Sequence, residues 1–258
     1  MRSMLKSAAV LAAMSFPVLQ GCAYAADADY YRIQSERLVV TEVSSGKEVV
    51  LERPPLLNPD CGKEKVVGEL VNTGVAAWSV VQSGAPSGSA VSSYASALPP
   101  GMYMPWSAVA GWKGPREYVF DYTAVNPAGW EVVRSKFLIS YYYGGTEKEA
   151  DGSPRATAGR YITNLTVKAP ELDVSWGWHF NVDAKISNPM NIGTVKNPLA
   201  FMRLDMVWSL STMLFSKSGV WTFELDGAGN FKDLYSESKS LTEKIAPVEQ
   251  PEASVSWN

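Results

Sequence analysis

Apolar and polar residues alternate with a period of two along most of the chain after residue 25, and no segment there sustains a period of 3.6. A two-residue period is that of strands with one buried face, and Gly, Pro, Asn and Asp divide it into separate elements. Residues 37–44 and 47–52 flank Ser45-Gly46 and predict a first hairpin. Residues 66–71 and 76–82 predict short buried strands around Asn72-Thr73-Gly74. Residues 83–115 are dominated by Ser, Ala, Gly and Pro, and predict an irregular loop too long to be an ordinary connection.

The second half is more regular. Residues 117–125 place Tyr118, Phe120 and Tyr122 on one face, and Asn126-Pro127-Ala128-Gly129 turns the chain. Residues 130–143 direct Val133, Phe137, Ile139, Tyr141 and Tyr143 one way and Arg134, Lys136, Ser140 and Tyr142 the other. After a polar loop at 144–159, a strand over 160–168 is expected to end at Ala169-Pro170. Residues 171–187 then carry every large apolar side chain on an even position, from Leu172 through Trp176, Trp178 and Phe180 to Ile186. This predicts one strand of unusual length. Residues 201–217 repeat the design with Met202, Leu204, Met206, Trp208, Leu210 and Leu214. A last hairpin joins 220–225 to 231–234 through Asp226-Gly227-Ala228-Gly229-Asn230, and 236–258 is a polar tail.

Amphipathic strands in this number predict an all-β fold, a single-domain antiparallel β-sandwich that is jelly-roll-like or an open barrel. The chain has 258 residues, 46% hydrophobic and 19% charged. That suffices for one domain with a sizeable core and is too apolar for wholesale disorder.

Residues 1–25 carry the parts of a secretory signal: Arg2 and Lys6, an apolar stretch over 8–19, and the small-x-small site Ala23-Tyr24-Ala25. The apolar stretch is too short to anchor the chain across a membrane. The expectation is cleavage before Ala26, a folded domain over 26–258, and a secreted or periplasmic protein. Leu19-Gln20-Gly21-Cys22 resembles the lipoprotein signal, in which the Cys receives the lipid. On that reading Cys22 tethers the protein to the outer membrane, and a second membrane contact would stabilise the anchoring.

Removing the signal takes away Arg2 and Lys6 but no acid, so the formal charge of −3 becomes more negative. No basic patch for nucleic acid remains. Cys61 is left as the lone thiol, so an intramolecular disulfide is excluded. Burial under its Pro-rich turn, or a crosslink to a partner, accounts for it.

Catalytic chemistry finds little to build on. His179 is the single histidine, which rules out a multi-His zinc site and leaves only one ring for a triad. It shares a polar strand face with Asn181 and Asp183 at spacings of about 7 Å, too far for direct hydrogen bonds. A carboxylate pair of the glycoside-hydrolase kind could be drawn from Glu117, Asp121, Glu131, Asp173, Asp183 and Asp205. The 226–230 turn offers too few oxygens for a calcium loop and reads as a hairpin turn. No cofactor or metal is expected.

Binding has better support, from nine Trp and twelve Tyr. Tyr103, Trp106 and Trp112 fall in the irregular loop, and Tyr142 shares a face with Arg134 and Lys136. Aromatics with polar edges stack on glycans, settle at protein interfaces, or lodge among lipid headgroups. The leading expectation is therefore an exported, non-catalytic binding protein for a glycan, a protein or a membrane surface, with oligomers allowed. A second is a membrane-inserting β-pore. Its strands within 171–217 exceed the roughly 9–11 residues that cross a bilayer, and they would set Trp176, Trp178, Met202, Leu204 and Trp208 against lipid. The same faces would serve equally as sandwich core.

Overall fold

The computed structural model describes residues 28–43, 70–99, 109–148 and 159–235. In chain order the strands are β1 (Ser35–Glu42), β2 (Val71–Asn72), β3 (Ala77–Gln82), β4 (Ala85–Pro86), β5 (Ala95–Leu98), β6 (Val109–Ala110) and β7 (Lys113–Val125). They continue with β8 (Glu131–Glu147), β9 (Tyr161–Val174), β10 (His179–Ile186), β11 (Met190–Asn191), β12 (Ala200–Ser211), β13 (Ser216–Asp226) and β14 (Phe231–Asp233). A short helix, α1 (Ser89–Ser92), lies between β4 and β5, and helical residues also occur at 28–30 and 234–235.

Two sheets result. The first has the order β1-β7-β8-β9-β5-β2 with β6 added to β8, and the second β14-β13-β12-β10-β3-β4 with β11 added to β12. Pairing between the named strands is antiparallel throughout. The expected all-β antiparallel sandwich is what forms, and it does not close into a barrel.

The core lies between the sheets. Phe120, Tyr122, Phe137, Ile139 and Tyr141 enter it from the first sheet, and Phe180, Val182, Met202, Leu204, Trp221 and Phe223 from the second. Each large apolar side chain so buried contributes about 1.5–3 kcal/mol. The alternation along β7, β8, β10 and β12 puts those residues inward as the sequence predicts.

Four expectations change. Residues 171–187 are not one strand: β9 ends at Val174, a turn occupies 175–178, and β10 begins at His179 in the other sheet. The Trp178 N–H donates to the Ser175 carbonyl at 3.1 Å, and Gly177 has φ +79°, as the third position of a type II turn requires. Likewise 201–217 divides at residues 212–215 into β12 and β13, and Leu214 is exposed rather than inward.

The strand expected to stop before Pro170 runs through it. Register shifts between Lys136 and Leu138 of β8, opposite Glu171 and Lys168, so Pro170 sits at an irregularity where no ladder N–H is needed. The stretch 83–115 is not wholly irregular: it holds β4, α1, β5 and β6, and β7 begins within it. All four residues of β5 are buried, because β9 and β2 flank it.

β1 is the first arm of the expected initial hairpin, and its described neighbour is β7. The second arm, residues 1–25 with Cys22, and also Cys61, Tyr103, Trp106 and the 236–258 tail lie outside the described residues.

Candidate functional site

Strand polarity decides what meets at the ends of the sandwich. Val125 at the end of β7 pairs with Ser35 at the start of β1, and Val133 near the start of β8 pairs with Val174 at the end of β9. In the other sheet His179 pairs with Ser211, and Ser211 with Ser216. The 175–178 turn joins the two sheets at this end. Three connections therefore converge there: 126–130, 175–178 and 212–215.

Each of the three presents large apolar side chains to solvent. Trp130 is 62% exposed, Trp176 81%, Met213 76% and Leu214 57%. Charged and small polar residues are the usual occupants of such turns, so this concentration is unusual.

The segment before β1 ties the three together. The Tyr30 ring meets Trp130 edge-on at 5.9 Å, and its hydroxyl donates to the Trp176 carbonyl at 2.9 Å. Thr212 donates its hydroxyl to the Tyr31 carbonyl at 3.1 Å and accepts from the Leu214 N–H at 3.2 Å. Tyr31 is buried under Tyr30, in an edge-on contact at 4.9 Å. Hydrogen bonds and ring contacts thus fix the apolar end as one surface.

No family model, curated protein or solved structure matches this chain. What the surface does has to follow from its own chemistry.

Of the residues expected from sequence to bind, Tyr103 and Trp106 lie outside the described residues. Trp112 is buried, and its indole N–H donates to the Val109 carbonyl at 3.2 Å, so it is a core group rather than a stacking platform. Tyr142 is half-buried against the core. Of the residues proposed for lipid contact, Trp178, Met202, Leu204 and Trp208 are buried between the sheets. Trp176 alone of that set reaches solvent, because it occupies the turn rather than a strand face.

Three of the six acids considered for a catalytic pair stand opposite bases. In register, Asp121 faces Lys136, Asp173 faces Arg134, and Asp205 faces Lys185. Such cross-strand opposite-charge pairs support a sheet's outer face. Glu171 bonds to Lys136, which holds its carboxyl below the usual range. Asp226 is consumed by its own turn: Oδ1 accepts from the Ala228 and Asn230 N–H groups, and Oδ2 from the Asn230 amide. His179 is exposed at the start of β10. Among the described residues no group of three His, Cys, Asp or Glu could hold a metal ion.

Proposed function

We propose that the protein is an exported, non-catalytic β-sandwich that binds a membrane surface through the end bearing Tyr30, Trp130, Trp176, Met213 and Leu214. The observation that carries this reading is the exposure of two Trp, a Met and a Leu on three converging turns. Indole rings favour the headgroup level, and aliphatic side chains beside them gain by entering the acyl boundary. A glycan site would instead need ring faces set among hydrogen-bonding side chains, which Met213 and Leu214 do not provide.

The position of residues 28–31 supports the same partner. Ala28 lies two residues before Tyr30, which sits at this end against Trp130 and Trp176. Export and lipid attachment at Cys22 would deliver an acyl anchor to the same surface, since the six residues from Cys22 to Ala28 span at most about 20 Å. One acyl chain alone holds a protein only marginally and reversibly, and an apolar end is the second contact that such an anchor needs.

Co-sedimentation of the protein, without lipid on Cys22, with phosphatidylcholine vesicles tests the reading. The double variant Trp130→Ser, Trp176→Ser is expected to bind roughly ten- to a hundredfold more weakly, given about 25 cal/mol for each Å² of apolar surface withdrawn from water. Its melting temperature is expected to be unchanged, because both rings are exposed. Binding of the double variant equal to that of the parent rejects this surface. Leakage of trapped dye together with boiling-sensitive oligomers would replace the reading by the β-pore.

A further inference from the structure

Among the described residues, β1 of the first sheet and β13 of the second leave a gap along the flank beside the apolar end. A recess of about 60 Å³ lies there, lined by Glu36, Arg37, Tyr122, Trp208, Trp221 and Tyr235 among others. Its floor is the edge of the aromatic core, where Trp208 and Trp221 stack at 5.3 Å and Tyr122 lies 5.1 Å from Trp221, and Trp208 is the most exposed of the three at 6%. Gly219 makes room for this floor, since a Cβ there would come within 2.8 Å of the Trp208 ring.

One carboxylate faces the aromatics. Glu36 Oε1 accepts from the Tyr122 hydroxyl at 2.8 Å, and Oε2 is bonded by the Lys217 ammonium. The same ammonium lies 5.9 Å from the centre of the Trp208 ring. Burial, followed by the Glu36 charge, keeps the Tyr122 phenol far above its usual range, so it stays a neutral donor. A carboxylate beside π-faces selects a cation, and the chain's own lysine now takes that place. The Lys217 ammonium thus stands between Glu36 and the Trp208 ring.

We propose that this recess binds the zwitterionic phosphate–ammonium headgroup of a phospholipid, its ammonium at Glu36 beside Trp208 and its phosphate at Lys217. The proposal rests on the membrane reading above and names the lipid class. Lys217 exchanges its carboxylate partner for the phosphate, while the ligand's ammonium takes the vacated place. Ion pairs are exchanged and no charge is left unpaired.

Position and charge both favour a lipid as the source. Lys217 follows the exposed 213–214 pair by three residues, and Glu36 is the second residue of β1, so the recess lies within about 10 Å of the apolar end along the strands. A chain with net charge −3 is repelled by an anionic leaflet and not by a zwitterionic one.

Three proteins are compared: the full chain, Glu36→Gln and Lys217→Ala. Glu36→Gln retains an acceptor for Tyr122 and is expected to weaken binding to phosphatidylcholine vesicles roughly tenfold, while binding to phosphatidylglycerol vesicles, relieved of one negative charge, is not weakened. Lys217→Ala removes the internal occupant. By calorimetry it is expected to bind free choline more tightly than the parent does, and to lose the parent's preference for phosphocholine over choline. Millimolar phosphocholine should displace the parent from phosphatidylcholine vesicles; soluble binding without displacement overturns the assignment to lipid. Unchanged vesicle binding by Glu36→Gln, or choline binding indifferent to Lys217→Ala, overturns the recess as the headgroup site. If the parent ignores every vesicle, the membrane reading fails and the lipid assignment with it. Calorimetry then still decides whether the recess takes the soluble zwitterion.

Discussion

Trp221→Ala is expected to cost about 3–5 kcal/mol of folding free energy, the range for removing a large aromatic from a packed core. Trp221 is 1% exposed and lies where the two sheets meet. It packs edge-on to Phe120 at 4.7 Å, stacks on Trp208 at 5.3 Å, and tilts against Tyr122 and Phe137 at 5.1 and 6.1 Å. Each such pair adds about 0.5–1.5 kcal/mol beyond area burial. Three of these partners come from β7 and β8, so the cavity would weaken the contact between layers rather than one sheet. In a domain of this size the loss lowers the melting temperature by roughly 6–20 °C. Trp176→Ala is the control: its ring is 81% exposed and the change should stay within about 0.5 kcal/mol. Urea unfolding followed by circular dichroism measures both. Equal losses for the two variants would contradict the division between core and surface indoles.

The same pair of residues shows why part of the fold was legible in sequence and part was not. Inward faces along β7, β10 and β12 follow from alternation alone, because an open antiparallel sandwich buries one face of each strand. The break at 175–178 is hidden by parity. A four-residue turn that carries the chain from one sheet to the other keeps even positions facing the same core, so Leu172 and Phe180 point inward from opposite layers. Gly177 is the single local sign of the turn, and Trp176 breaks the pattern only once its exposure is known. β5 was invisible for another reason: Ala95, Ser96 and Ala97 carry no strand signal, and their burial comes from strands β9 and β2 on either side.

The apolar end was less legible than the fold. Trp130, Trp176, Met213 and Leu214 lie far apart in sequence and meet only because the strand directions return three connections to one place. A signal did exist, in large apolar residues beside turn residues such as Asn126-Pro127, Gly177 and Ser216. Exposed aromatics were expected instead in the stretch 83–115, where Trp112 belongs to the core. The headgroup recess could not be found by pattern, since Glu36 and Lys217 are 181 positions apart.

Asp226→Ala is expected to cost about 2–4 kcal/mol, through the loss of charge-assisted hydrogen bonds at a largely buried site. Its carboxylate accepts from the Ala228 N–H at 2.8 Å, the Asn230 N–H at 3.0 Å and the Asn230 amide at 2.8 Å. Alanine leaves those donors without their acceptor. The damage should spread to β14, because Phe231 follows the turn directly and stacks on Tyr118 at 3.8 Å and on Phe223 at 5.5 Å. Arg116 also bonds the Gly229 carbonyl, so the turn links β7 to the second sheet. Asp226→Asn keeps one acceptor oxygen and should lose only about half as much. Thermal melts with millimolar calcium and with chelator separate a hairpin from an ion loop. The parent should melt at one temperature in both, since the turn's own N–H groups already occupy both carboxylate oxygens. A calcium-dependent rise that Asp226→Ala abolishes would show that the carboxylate serves an ion instead.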